Sequence, residues 1–173
     1  MTIYLQNPEK TQIQVFETEN EKGTGFITWI KLTEQEITTY LLQKAKTNKL
    51  ADLNRFYNSS ECWTYTVYTN IKKYASLTRD ADFFAKVIPA SLGKTMTILD
   101  DNNQPVQYFL DEVKGQNLNF KINNENATKI RYKKIELENR IDIATNIDDI
   151  NNINCEKELL NAVERKINLD SIK

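Results

Sequence analysis

Three acidic doublets, Asp100-Asp101, Asp111-Glu112 and Asp148-Asp149, are the residues of this chain best suited by type to chemistry. Two carboxyl groups held in one cleft at a suitable separation can share acid and base work. Nothing else in the sequence supports them in that task. There is no histidine, so a Ser-His-Asp or Cys-His relay is excluded and most zinc sites go with it. The glycines, Gly23, Gly25, Gly93 and Gly115, form neither a phosphate-binding loop nor a dinucleotide fingerprint. Acidic side chains mostly sit in solvent, so the doublets read as turns, helix starts and solvated faces. Neither an enzyme, a metal nor a cofactor is expected.

Charge and composition narrow the remaining classes. Lysine plus arginine number 23 against 24 acidic residues, a formal charge of −1, which leaves no basic surplus to neutralise a nucleic-acid backbone. The apolar runs are too short to cross a bilayer, and "MTIYLQNPEK" lacks the basic and apolar regions of a signal peptide. Cys62 and Cys155 are far apart, as expected of reduced thiols in a cytoplasm rather than of a disulfide framework. Protein binding is the class that survives.

The elements that would carry such binding follow from periodicity. "TIYLQ" and "TQIQVF" alternate as strands around the turn Asn7-Pro8-Glu9-Lys10. "GTG" at 23 to 25 reads as a hairpin loop, and "FITWIKL" (26 to 32) as a third strand. Bulky residues on both its faces suit a strand covered on two sides or one lying against a partner, which makes Trp29 a candidate partner-binding residue. "TEQE" from Thr33 to Glu36 is a capping box, predicting a helix from about Glu34 to Phe56. "CWTYTVYT" then alternates as a strand with Trp63, Tyr65 and Val67 inward. A helix is expected from Thr78 through Phe83, Phe84, Val87 and Ile88, with Asp80 and Asp82 at its start and Pro89 limiting it. "TMTIL", the turn "DDNNQP" and a return strand follow.

The last third reads as helical. Phe109, Leu110 and Val113 fit a helix, while "NLNFKIN" alternates like a strand, so periodicity leaves open whether residues 106–144 form one helix or two. Ala127, Ile130, Leu137, Ile141 and Ala144 make a narrow apolar seam on a charged helix. "RIDIA" ends that helix and "NIDDINNI" starts a short one that folds back, with Thr145 as its N-cap. Finally, "CEKELLNAVERKINLDSIK" spaces Leu159, Leu160, Val163 and Ile167 as one side of an amphipathic helix. Those four residues are candidates for a helix-in-groove contact with a partner or a second copy, with packing on the same chain as the alternative.

The segments "TMTILDDNNQPVQYFLDEV" and "ATKIRYKKIELENRIDIATNIDDINNI" resemble a domain that recurs in phage tail genes. The matching positions are Thr97, Asp101, Asn102, Val106, Leu110, Glu136, Leu137, Ile141, Ala144, Thr145 and Asp149. "WIKLTEQE" is similar to the opening of many such proteins. The likeness spans about residues 40 to 153, and "TMTIL" stands where that family usually has a tryptophan-rich strand. It implies a tail-fibre assembly chaperone or minor tail component without catalytic residues. The expected architecture is therefore α+β: an N-terminal β-hairpin element (1–32), a mixed domain (33–153) and a C-terminal amphipathic helix (154–173). The expected role is non-enzymatic binding of a tail-fibre component in the host cytoplasm or on the virion tail, without nucleic acid or membrane and with homo-oligomerisation open. The alternative is a phage- or plasmid-encoded inhibitor of a host or competitor protein.

Overall fold

The computed structural model describes residues 2–22, 25–70, 74–79, 83–99 and 102–173. In chain order its elements are β1 (Ile3–Gln6), β2 (Ile13–Phe16), α1 (Glu19–Lys22), β3 (Ile30–Lys31), α2 (Glu34–Tyr57), β4 (Thr64–Tyr68), β5 (Tyr74–Thr78) and α3 (Ile88–Ser91). They continue with β6 (Thr95–Leu99), β7 (Pro105–Phe109), α4 (Glu112–Phe120), α5 (Ala127–Ile143), α6 (Ile147–Asn151), α7 (Cys155–Asn161) and β8 (Lys166–Asn168). The architecture is α+β, with the small sheet at the N-terminus and a helical C-terminal half.

Local chemistry explains most of the boundaries. Asn7 Oδ1 accepts from the backbone N–H groups of Thr11 and Gln12 at 2.8 and 2.9 Å, which closes the β1–β2 turn. Thr33 and Glu36 complete the capping box reciprocally: Thr33 N–H donates to Glu36 Oε2 at 2.8 Å, and Glu36 N–H donates to Thr33 Oγ1 at 3.3 Å. Helix α2 then runs unbroken through "KTNK". Asp111 caps α4 by accepting from Lys114 N–H, and Asn154 caps α7 by accepting from Lys157 N–H. Asn103 takes a left-handed φ of 59° in the turn before β7, a conformation asparagine tolerates better than most residues. Pro105 opens β7 at the edge of its sheet, where its missing N–H costs no ladder bond.

Two sheets and two apolar cores result among the described residues. The small sheet has the order β2-β1-β3 and is antiparallel throughout. The larger sheet has the order β7-β6-β5-β4-β8, antiparallel except for β8, which lies parallel to β4. Tyr65, Val67, Leu77 and Ile167 point from its inner face onto Leu110, Leu118 and Ile122, and make the first core. The second core joins α2, α5 and α7 through Leu53, Ile130, Leu137, Ile141 and Leu159, with Cys62 and Trp63 added from the short 3₁₀ turn before β4.

Several expectations need correction. The segment 26 to 32 is not a long strand: residues 25–28 form a turn closed by Trp29 N–H donating to Phe26 O, and β3 has two residues. Its two-sided apolar pattern comes from aromatic rings stacked in that turn. Thr78 ends β5 instead of starting a helix, because it pairs with Thr64 across the sheet. Asp80 and Asp82 lie outside the described residues; among the described residues the helical segment is seen from Phe83, as a π-helical turn. Phe109 closes β7, so the next helix starts at Glu112. It continues through a π-helical turn (Lys121–Asn126) into α5, which resolves the ambiguity over "NLNFKIN" in favour of helix. The corner between α5 and α6 forms as expected, yet its cap is Asn146, which accepts from Asp149 N–H at 2.8 Å, and not Thr145.

The largest correction concerns residues 154–173. Helix α7 stops at Asn161; the chain then extends into β8 and a 3₁₀ turn, Leu169–Ser171. Arg165 fixes this departure. Its guanidinium donates to the carbonyls of Leu159, Leu160 and Cys62 at 3.0, 3.2 and 2.7 Å. These bonds satisfy carbonyls that α7 leaves open and tie the segment to the start of β4.

Candidate functional site

The five residues expected to meet a partner divide into two groups. Leu159 and Ile167 are interior side chains, 0% and 1% exposed, in the second and first cores respectively. Val163 is partly buried against both cores and Leu160 is partly buried. The spacing of four from Leu159 through Val163 to Ile167 therefore reflects burial within this chain, and with Leu160 these residues present no continuous outward helix face. Trp29 belongs to a different place, the N-terminal sheet.

That sheet has two unlike faces. On one, Ile3 and Leu5 are buried, and Phe16, Phe26 and Trp29 stack edge-on in sequence with ring centres 4.9 Å apart at each step. Edge-to-face contacts of this kind hold the rings in fixed orientation. On the other face, Tyr4 meets Tyr40 of α2 edge-on at 6.1 Å. Between this face and the first half of α2 lies an open cleft of about 670 Å³. Ile13, Leu32 and Tyr40 give it an apolar floor, and Gln6, Gln35 and Gln43 give it an amide rim. Hydrogen bonds from Thr33 hold the Glu36 carboxyl at its edge below the ordinary carboxylate range. Around the sheet, Val15, Ile27 and Ile30 are 40%, 80% and 59% exposed. Among the described residues, β2 and β3 each keep one strand edge unpaired. An apolar floor, amide donors and acceptors, and free edges together suit an extended protein segment.

A second open cleft, of about 630 Å³, lies between the end of α2 and the start of α7. It is polar, with Lys49, the Asp52–Arg55 ion pair (2.9 Å) and Glu156 around Cys155. Burial pushes the Cys155 thiol up, against the opposing pull of Lys49, so it stays a protonated thiol at neutral pH and is a poor nucleophile. Cys62 is fully buried and likewise pushed up by burial.

Two of the three acidic doublets sit at helix starts. Asp111 caps α4 with Glu112 in its first turn, and Asp148 and Asp149 occupy the first turn of α6, where the helix dipole favours negative charge. Asp100-Asp101 lies outside the described residues. Among the described residues, no group of three or more cysteine, aspartate or glutamate side chains converges as a metal site. None of their helices is long and apolar enough to cross a membrane. Alternation within residues 26–32 points to a strand, which holds for Ile30 of β3, as it does for Phe16 of β2, while Phe26, Ile27 and Trp29 lie in or beside the turn that precedes β3. Comparison of the chain with protein-family models, curated proteins and solved structures yields no match to any of the three.

Proposed function

We propose that this chain is a non-enzymatic protein-binding component of phage tail assembly, gripping a tail-fibre component as an assembly chaperone or minor tail subunit. The observation that carries the binding reading is the N-terminal sheet. It leaves Ile27 and Ile30 open to solvent beside the Phe16–Phe26–Trp29 stack and next to the cleft over Tyr40. Exposed apolar side chains gathered on one small element mark interaction surfaces more often than scattered ones do. The resemblance of residues 40 to 153 to phage tail-gene domains supplies the class of partner. On this reading the protein works in the host cytoplasm while fibres are assembled, and the sheet holds an extended fibre segment against α2.

The test uses the full chain and a purified tail-fibre subunit in a titration calorimeter. Binding is expected, and Ile27→Asp or Ile30→Asp should weaken it by at least about tenfold, since burying an unpaired charge at an interface costs more than 1.4 kcal/mol. Both residues are exposed, so the melting temperature should hold. Absence of binding to any fibre subunit overturns the fibre assignment. Full-strength binding by both variants overturns the placement on the sheet.

A further inference from the structure

Helix α5 is apolar on two opposite sides. One side, Ala127, Ile130, Leu137 and Ile141, is buried in the second core. The other carries Tyr132, Ile135 and Ile143, which are 69%, 51% and 74% exposed. With 3.6 residues per turn, Tyr132, Ile135, Asn139 and Ile143 follow at steps of three and four and fall on one strip, about 16 Å long. Single exposed apolar residues need no explanation; three aligned on one helix face do.

The charges flanking this strip indicate what covers it. The first half of the helix is basic, with Lys129, Arg131, Lys133 and Lys134, and the second half carries Glu136, Glu138 and Asp142. Within the helix, Lys133 pairs with Glu136 at 2.6 Å and Lys134 with Glu138. Arg140 reaches Glu158 of α7 at 2.6 Å. Lys129 and Arg131 at one end, and the Asp142 carboxylate at the other, have no ion-pair partner among the described residues; Lys46 meets the carbonyl of Asp142 instead. The free charges are thus opposite in sign and lie at opposite ends of the same strip. Two copies laid antiparallel match them, since Arg131 of each falls across from Asp142 of the other. Within about 3 Å of that alignment, two residues of helix rise, Tyr132 of each copy meets Ile143 of the other, and Ile135 and Asn139 flank the axis. A parallel pairing would set like charges together.

We infer that the outer face of α5 is a self-association surface, joining two copies of this chain antiparallel about a two-fold axis. Such an interface is isologous: the one patch serves both copies. A single pair of helices lies at the small end of specific interfaces, so the dimer depends on concentration, and its flanking charge pairs weaken as salt rises.

Sedimentation velocity on the full chain, from a few to several hundred micromolar and at low and high salt, tests this. A reversible dimer is expected. Arg131→Asp and Asp142→Arg should each raise the dimer dissociation constant by about tenfold, because each change repels at two symmetry-related places. The combined variant R131D/D142R should restore dimerisation, and Ile143→Glu should abolish it. All of these sites are exposed, so circular dichroism melts should match the parent. A chain that stays monomeric throughout overturns the inference. So does a dimer that survives Ile143→Glu, or one that the paired charge reversal fails to restore.

Discussion

Replacing Ile167 with alanine separates the observed C-terminal segment from a free amphipathic helix. Ile167 is 1% exposed, stands beside Val67 across the parallel β4–β8 pair, and packs in the first core with Leu169 and Ile172. Removing a fully buried isoleucine side chain down to alanine costs about 2–5 kcal/mol, transfer and cavity terms together. Set against a typical total stability of about 5–15 kcal/mol, that is a large share. With a urea slope of about 1–3 kcal/mol per molar, a mid-range loss of about 3 kcal/mol moves the unfolding midpoint down by roughly 1–3 M. Leu160 offers the internal comparison. It is only partly buried, so Leu160→Ala loses less apolar contact and should cost well under half as much. Urea unfolding followed by circular dichroism reads both. On a free amphipathic helix the two residues would be equivalent, and each loss would stay below about 1 kcal/mol, the scale of helix propensity alone. Two small and equal losses would refute the placement of Ile167 in the sheet.

Four further outcomes are expected. Tyr108 O–H donates to Asp170 at 2.9 Å, and burial together with this bond pushes the phenol up to about 12. Its stabilising contribution is full below pH 10, the unfolded value, and should vanish as pH rises towards 12; urea midpoints of Tyr108→Phe should lack that alkaline fall. Asp170 is held low, first by the Asn70 N–H and then by Tyr108. Its contribution is present above the ordinary aspartate range near pH 4 and lost on further acidification, so Asp170→Asn should differ from the parent at pH 6 and converge with it in acid. Thr33→Ala removes the α2 capping box and should cost about 0.5–2 kcal/mol by thermal melting. Both cysteines should react with a disulfide reagent far more slowly in the folded chain than in denaturant, because each is buried with its thiol pushed up.

What the sequence made legible was local. The capping box spans Thr33 to Glu36, the first turn is set by Asn7, and the alternation of Tyr65 with Val67 fits within one strand; each signal lies within a few residues. β8 escaped because three residues, Lys166 to Asn168, become a strand by pairing with Thr66, Val67 and Tyr68, and no local pattern announces a distant partner. Leu159, Val163 and Ile167 show the physical trap clearly. Their spacing of four correctly marks side chains turned towards the cores, yet a helix followed by a strand can bury residues at that spacing too. β5 was missed because Thr78, beside acidic residues, looks like a helix cap, whereas its hydroxyl lies 3.2 Å from that of Thr64 across the sheet. In α5 the inner seam was read and the outer strip passed over, since a charged helix is expected to have one apolar side.

The parallel pairing of β4 with β8 also sets a timetable for synthesis. Lys166 lies a hundred residues beyond the Thr66 it stands beside. At translation speeds of about 5–20 residues per second, β4 waits roughly 5–20 seconds after leaving the ribosome before its outer neighbour exists. Throughout that interval the nascent chain carries an open strand edge next to Tyr65 and Val67, the geometry that recruits stray strands from other chains. β5 can pair as soon as it emerges, so the hairpin forms early and the sheet is finished late. Slow codons between residues 69 and 165 would lengthen the vulnerable period, and overexpression would crowd such half-finished sheets together. Yield of intact protein should therefore respond to growth temperature and chaperone supply more than the stability of the completed fold would suggest.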